Sequence, residues 1–378
     1  MDVEVTQEER MLRDATRAFL ESRSPLPRVR EVASTASGFD PKLWEEAASL
    51  GWLGMLVPEV HGGAGMSGDG VVAAAIVAEE LGRMLHPGPF LAVNVVADAV
   101  TRVGSEAQRE ALLPSLVDGT AVATWAVADG PGCWDERDVR TVATSRGDGY
   151  VISGTKRWVQ DGQNATHLLV TCRRDDGGTI QLLVPTDAPG VIVTPLETMD
   201  LGRRLADIRF ADVEVSAGAV LGQRRDAAVD VARQSRLAIA LQCAESVGAT
   251  ARMLDKTAAY AKERIAFGRP IGSFQAVKHR LAEAVTFLEA AQAATWAAVR
   301  AVATDAADVV RVVHVAKVFV GTRCPHVVEA CMQVHGGIAM TWEDDSHLFL
   351  RRVQSNRMLY GPPAWHADRL CDVVGVAS

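Results

Sequence analysis

Arg264, Phe267 and Gln275 bring a cation, an aromatic face and an amide into one short run, Arg-Ile-Ala-Phe-Gly-Arg-Pro-Ile-Gly-Ser-Phe-Gln, residues 264–275. At a joint between two helices such a set could hold a diphosphate and a flat ring, because a guanidinium takes phosphate oxygens and an aromatic face takes a heterocycle. The same residues also read as a capped helix end with a core Phe. Just downstream, Lys278-His279-Arg280 is a small basic cluster, either a contact for a phosphate or a solvated helix face. Cys324, His326, Cys331 and His335 could suggest zinc, but their spacing matches no standard finger and they fall in a helical run. Gly63-Ala64-Gly65-Met66-Ser67-Gly68 is a literal G-x-G-x-x-G. A dinucleotide fold would want an acidic residue about twenty positions on. The chain there reads Met84 to Pro89, with two prolines and no acid, so this loop is a decoy.

The elements that must position the 264–275 run are two long helices, Arg236 to Glu263 and Ala276 to Ala303, rich in Ala and Leu. Gly and Pro between them interrupt the helix. Residues 1–120 read as a helical unit: Gln7 to Leu20 is amphipathic, Asp40 and Pro41 cap a helix to Leu50, and Gly70 to Leu85, Ala92 to Val103 and Ala107 to Val117 follow. From 121 to 222 the period changes to two. Short β-rich runs at Val139–Thr144, Tyr150–Ile152, Lys156–Val159, His167–Cys172, Thr179–Val184, Val191–Pro195 and Ile208–Val215 are separated by turns that include Gly147-Asp148-Gly149 and Ser153-Gly154. They predict a small β-barrel or sandwich. Residues 223–378 return to helix. The expected class is mostly α with a central β domain.

Composition narrows the function. A chain of 378 residues that is 48% hydrophobic can bury a large core and is not disordered. A net charge of −8 argues against a nucleic-acid partner. Six scattered cysteines without Cys-x-x-Cys read as reduced thiols in a cytoplasmic protein. The acidic Met1-Asp2-Val3-Glu4 leads into no apolar run, so no secretory signal is expected. The absence of about twenty consecutive apolar residues predicts no membrane span.

Arg264-x-x-Phe-Gly-x-x-Ile271-x-x-Phe274-Gln275 resembles the signature of the acyl-CoA dehydrogenase family, and Gln333-Val-His-Gly336-Gly337-Ile is similar to its Gln-x-x-Gly-Gly segment. Shorter matches run from Phe39-Asp-Pro through Pro58-Glu-Val-His-Gly-Gly and Gly154-Thr-Lys-Arg-Trp158 to the last helix, so the likeness spans nearly the whole chain. The resemblance implies an N-terminal helical domain, a middle β-barrel and a C-terminal four-helix bundle. It implies FAD as cofactor, an acyl-CoA substrate and an electron-transfer flavoprotein as acceptor. Arg264, Phe267, Ile271, Phe274, Gln275, Gln333, Gly336 and Gly337 would then reach a neighbouring subunit's FAD, and Trp158 would lie against the chain's own flavin. Desaturating an acyl-CoA removes a Cα proton and passes a Cβ hydride to the flavin, so the protein must supply a carboxylate base.

That base is missing where the resemblance places it. Tyr360-Gly361-Pro362-Pro363 stands in place of Tyr-Glu-Gly-Thr, so Gly361 replaces the usual Glu. The alternative position in some relatives falls at Ala238 or Ile239, also without a carboxylate. Glu245, two helical turns on, could share that face and serve as base, or could be a helix-packing Glu paired with an Arg. The flavin half is also eroded: Ala128-Asp-Gly-Pro-Gly-Cys-Trp134-Asp135 replaces Thr-Glu-Pro-x-x-Gly-Ser-Asp, and Gln160 follows Trp158-Val where Thr or Ser is usual. This lopsidedness resembles one chain of the actinobacterial α2β2 enzymes acting on steroid side-chain CoA thioesters. The expectation is a subunit that completes a homologous partner's FAD site. The alternatives are a self-sufficient homotetramer using Glu245 and an inactive acyl-CoA-binding scaffold.

Overall fold

The computed structural model describes residues 6–64, 70–222 and 226–376. The glycine-rich decoy beyond Ala64, the acidic N-terminus before Thr6 and the junction at 223–225 lie outside them. The chain opens with α1 (Gln7–Arg23), α2 (Leu26–Ser34), α3 (Pro41–Ser49), α4 (Gly70–Arg83), α5 (Phe90–Val103) and α6 (Glu106–Val117). Local chemistry sets these ends. Asp40 accepts the N–H groups of Lys42 and Leu43 at the start of α3, with Pro41 at the first helical position. Ser105 and Gln108 form a reciprocal capping box on α6. α4 and α5 are buried on nearly every side, which is why their sequences are Ala/Val-rich all round rather than striped.

The middle of the chain is one seven-stranded sheet of β1 (Ala123–Ala126), β2 (Val142–Arg146), β3 (Gly149–Gln160), β4 (His167–Arg174), β5 (Thr179–Pro185), β6 (Val191–Leu196) and β7 (Leu205–Val215). Its order is β1-β4-β2-β3-β7-β6, with β5 pairing the other side of β4. Two expectations are corrected here. The runs around Ile152 and Lys156 are a single strand, and Ser153-Gly154 is no turn. The register slips between Ile152 and Gly154 and again between Lys156 and Val159. Gly154 sits at φ +145° with Thr141 Cα 2.8 Å from where a Cβ would stand, so its turn-like composition reflects a bulge.

The rest is helical: α7 (Ala228–Glu263), a two-residue hairpin of β8 (Ile265–Ala266) and β9 (Arg269–Pro270), then α8 (Gln275–Ala303), α9 (Val309–His335), α10 (Ser346–Met358) and α11 (Pro363–Val374). The N-terminal helices dock on this bundle through backbone contact. A Cβ on Gly82 of α4 would lie 2.0 Å from the Glu245 carbonyl, and one on Gly248 of α7 would lie 1.8 Å from the Glu79 carbonyl. Two facing glycines therefore let the helices cross in direct contact and fix Glu245 beside α4. Among the described residues no helix is long and apolar enough to cross a membrane.

Candidate functional site

The outward-facing motif is built at the end of α7. The Arg264 N–H donates to the Tyr260 carbonyl (2.8 Å), and the Ile271 N–H returns to the Arg264 carbonyl (2.8 Å), closing the hairpin. Phe267 (φ +53°) and Gly268 (φ +78°) form its two-residue tip, both in the positive-φ region that tight hairpins demand. The Phe267 ring is 94% exposed, which overturns the core-Phe reading. The Arg269 guanidinium lies over Phe274 at 4.2 Å. The end of α9 is drawn alongside by His335, which stacks on Tyr260 (4.4 Å between centroids) and bonds Thr257 Oγ1 through Nε2 (3.1 Å). Gln333, Gly336 and Gly337 emerge there.

Arg264, Phe267, Gln275, Gln333, Gly336 and Gly337 are all exposed, with Ile271 and Phe274 half-buried behind them. Among the described residues, Arg264, Gln275 and Gln333 make no side-chain hydrogen bond within the chain. Nothing lies within 4 Å of a Cβ placed on Gly268, Gly336 or Gly337. Packing inside the chain does not demand a bare backbone at Gly337. Lys278, His279 and Arg280 are exposed as well. On α9, Cys324 and Cys331 meet Thr250 and Thr257 of α7, and His326 packs edge-on against Phe287. Among the described residues no group of three or more His, Cys, Asp or Glu side chains could hold a metal ion.

Trp158 belongs to a different, inward recess. It sits at φ +54° in the β3 bulge and carries Trp134 stacked on it, 5.5 Å between centroids and 21° between planes. Trp134 meets Tyr360 edge-on (6.3 Å), and Tyr360 stacks on Trp125 (6.1 Å). Trp134, Trp158, Leu205, Met358, Leu359 and Pro362 border a cavity of about 400 Å³ to which Ser355 adds a hydroxyl. Beneath it Lys156 is fully buried, donating to the Val127 carbonyl (2.9 Å) and to Asp129 Oδ2 (3.0 Å), while Asp129 also takes the Arg140 N–H (2.7 Å) and the Thr141 hydroxyl. Burial lowers the Lys156 pKa, with Asp129 pulling the other way. An isoalloxazine carries a polar rim that must be hydrogen-bonded when buried. A recess lined by indoles and aliphatic side chains, with Trp134 already across Trp158, does not fit it.

The two positions expected of a base converge on a third feature. Ile239 of α7 and Tyr360, which precedes Gly361, line one cavity of about 220 Å³. At Gly361 φ is +101°, and a Cβ there would stand 2.8 Å from Trp365 Cε3 and 2.9 Å from His366 Nε2. The carboxylate is thus absent and its space is taken. His366 Nε2 faces the Tyr360 carbonyl at 2.9 Å, so it carries the proton; its Nδ1 then accepts from Nδ1–H of His314 at 2.7 Å. Burial drives the His366 pKa down to about 2, helped by Lys317 and His314.

Glu245 does not fill the vacancy. Arg203 Nη2 and Asn356 Nδ2 hold its Oε2 at 2.6 and 2.9 Å, and Arg352 Nη1 holds its Oε1 at 2.8 Å. Burial pushes its pKa up, but Arg203 and Arg352 outweigh this and hold it below the ordinary carboxylate value. A general base for a weak carbon acid needs a raised pKa and a free lone pair. The geometry is that of the helix-packing ion pair. The cavity beside it, about 20 Å³, has room for no acyl chain. Sequence reasoning missed the Lys156–Asp129 pair, the His314–His366 pair and the buried Lys317. The signal available was a Trp inside a Gly-Pro-Gly-Cys-Trp loop, an odd place for an indole unless it packs on something.

Family models for the N-terminal, middle and C-terminal domains of acyl-CoA dehydrogenases match residues 6–120, 126–213 and 226–374. The acyl-CoA dehydrogenase IpdE2 of Mycolicibacterium smegmatis is 31% identical, over 97% of this chain and 98% of the relative. Among solved structures, a chain of a variant of the Tcur3481–Tcur3483 steroid ACAD is 32% identical with a TM-score of 0.88, covering 98% of this chain and 99% of that one. A chain of the ChsE4–ChsE5 complex from Mycobacterium tuberculosis is 27% identical with a TM-score of 0.91 over 100% of both. The chain belongs to the acyl-CoA dehydrogenase family, oxidoreductases that act on CH–CH donors.

Proposed function

We propose that this chain is one subunit of a heteromeric, FAD-dependent acyl-CoA dehydrogenase, and that it completes the FAD site of an unlike, homologous partner which carries the catalytic Glu. The observation that carries this reading is a contrast within one chain. The polar and aromatic tips turned outward are exposed, whereas the recess beside Trp158 is walled by indoles and aliphatic side chains and Gly361, with Trp365 and His366 against it, stands where the base is usual. An exposed Phe held at positive φ costs about 1–3 kcal/mol, which a site used only by the chain itself would not recover.

FAD, when bound, supplies the acceptor for the hydride from Cβ. This chain's residues would hold it rather than react. The Arg264 cation suits a phosphate oxygen, the Phe267 face covers a flat ring, and the Gln275 and Gln333 amides and the bare backbone at Gly336–Gly337 let a cofactor approach closely. Trp158, half-buried with Trp134 stacked on its ring, borders the inward recess and lies apart from these residues. The partner would provide the base and the acyl pocket. The substrate we take to be a steroid-type acyl-CoA, following the solved steroid ACAD and ChsE4–ChsE5 assemblies, with an electron-transfer flavoprotein as acceptor.

The test is visible absorbance of the protein purified alone and co-expressed with an adjacent dehydrogenase gene. The expected result is a colourless chain alone and a yellow, active complex holding one flavin per pair of unlike chains. A yellow, active product of this chain alone would refute the proposal. A colourless chain that binds acyl-CoA and never gains flavin from any partner would favour the scaffold reading instead.

A further inference from the structure

The inward recess beside Trp158 is open space of about 400 Å³ whose walls lack the polar groups an isoalloxazine needs. Three separate parts of the chain build it. The loop after β1 gives Trp134, β3 and β7 give Trp158 and Leu205, and the end of α10 gives Ser355 and Met358. No side chain lining it is charged. The charges nearest in sequence are engaged elsewhere. Asp135 takes Arg137 and Arg369, Asp207 takes Arg157 (2.6 Å), and Asp129 takes Lys156. Arg204, before Leu205, donates to the Ala33 and Thr35 carbonyls, and Arg351, one turn before Ser355, to the Met199 carbonyl. Arg357, before Met358, runs along α9, its Cγ 3.8 Å from where a Cβ on Gly321 would stand. Besides the two indole N–H groups, the polar group that the lining side chains offer is the Ser355 hydroxyl, which has no hydrogen-bond partner among the described residues. An apolar concavity with very few placed polar groups is the general form of a small-molecule site.

From the volume, the uncharged walls and the single free hydroxyl, we infer that this recess binds an uncharged, rigid, fused-ring molecule carrying one oxygen, an alcohol or a ketone, in place of a flavin. It rests on the reading that the chain holds no flavin of its own. The ring body packs on the indoles, Leu205 and Met358, where removing apolar surface from water is favourable. Its oxygen meets Ser355. A carboxylate or phosphate would be stripped of water here with no cation to replace it, and the polar rim of an isoalloxazine would find too few partners.

2-Naphthol is the probe, with 2-naphthoate as its charged counterpart, naphthalene as the ring without oxygen and lumiflavin as an isoalloxazine without phosphates. Titration calorimetry is the direct readout, and thermal melting the second. The full chain is used alone and in the co-purified complex, and the complex decides. Saturable binding of 2-naphthol with a negative heat-capacity change and a raised Tm is expected, with 2-naphthoate and lumiflavin at least tenfold weaker. Ser355→Ala should weaken 2-naphthol roughly three- to tenfold and leave naphthalene unchanged. Leu205→Trp should abolish 2-naphthol binding by filling the space, with the flavin content of the complex unchanged. Should either variant fail to fold, the other decides. No 2-naphthol binding at millimolar concentration, equal or tighter binding of 2-naphthoate or lumiflavin, or wild-type affinity in Leu205→Trp would overturn the inference. So would binding that the isolated chain shows and the complex loses, which would assign the recess to a side chain of the partner. Flavin content is measured on the same samples. A colourless chain that ignores 2-naphthol loses only this site, whereas a yellow, self-sufficient chain that still binds it loses only the subunit reading.

Discussion

Replacing Glu245 by Gln separates a structural carboxylate from a catalytic one. The Gln keeps the shape and can retain one hydrogen bond with Asn356, but it removes the charge facing Arg203 and Arg352. Breaking a buried pair by neutralising one partner costs about 3–5 kcal/mol. Asp200, which holds Arg352 Nε at 2.5 Å, keeps the loss toward the lower figure. For 378 residues and an unfolding entropy of about 2 cal/mol/K per residue, that predicts a fall of roughly 4–6 °C in Tm. The pH dependence carries a sign. Because the folded pKa of Glu245 lies below its ordinary 4.5, its contribution is fully present above that value and is lost as pH falls through the folded pKa. The gap in Tm between wild type and Glu245→Gln should therefore close on acidification. In the co-purified complex, turnover per bound flavin should change less than threefold. An unchanged Tm with turnover lost a thousandfold or more would refute the reasoning and return Glu245 to the role of base.

Gly361→Glu, which restores the family's residue, should yield no dehydrogenase activity from this chain alone and should lower its Tm, because the new Cβ meets Trp365 and His366 at under 3 Å and the backbone sits at φ +101°; desaturase activity of the single chain would refute this. Phe267→Ala and Arg264→Gln should cut flavin retained by the complex at least tenfold while moving the Tm of the isolated chain by only about 1 °C, since both side chains are exposed. Lys317 is buried against Gln242, the Asn356 carbonyl and the Leu359 carbonyl, all neutral, and burial lowers its pKa from 10.5 to about 8. The unfolded chain binds that proton more tightly, so urea-unfolding stability should gain a rising component between pH 8 and 10, and Lys317→Met should flatten it.

The architecture was legible because it is written in local signals. The cap of Asp40 and Pro41, the change of period near residue 121 and the glycine-punctuated strands all correspond to what the chain forms. What could not be read were features created by two distant segments meeting. Gly154 carries the composition of a turn, yet the approach of Thr141 makes it a bulge. Gly248 reads as a weak spot in a helix until Glu79 of α4 is seen against it. At the site, the loss of the usual carboxylate was visible at Gly361, but the occupation of its space by Trp365 and His366 was not. Glu245 could be placed on the right face of α7 by counting turns. Its two guanidinium partners come from the loop before β7 and from α10, separations that no periodicity encodes.

Strain separates the two halves of the chain's chemistry. Trp158, Tyr360 and Phe267 are bulky residues at positive φ, a conformation that persists only where surrounding contacts compensate for it. For Trp158 the compensation is internal: Trp134 stacks on its ring and Asp207 accepts from its N–H. For Tyr360 it is internal too, with Trp125 against the ring, His366 on its carbonyl and Lys317 on the preceding one. Phe267 has its hairpin and the edge of Phe274, with the ring otherwise in solvent. In the inward recess the strained residues are thus held by the chain's own side chains, whereas the strained tip of the outward motif stands in solvent, where the subunit proposed above would lay it against its partner.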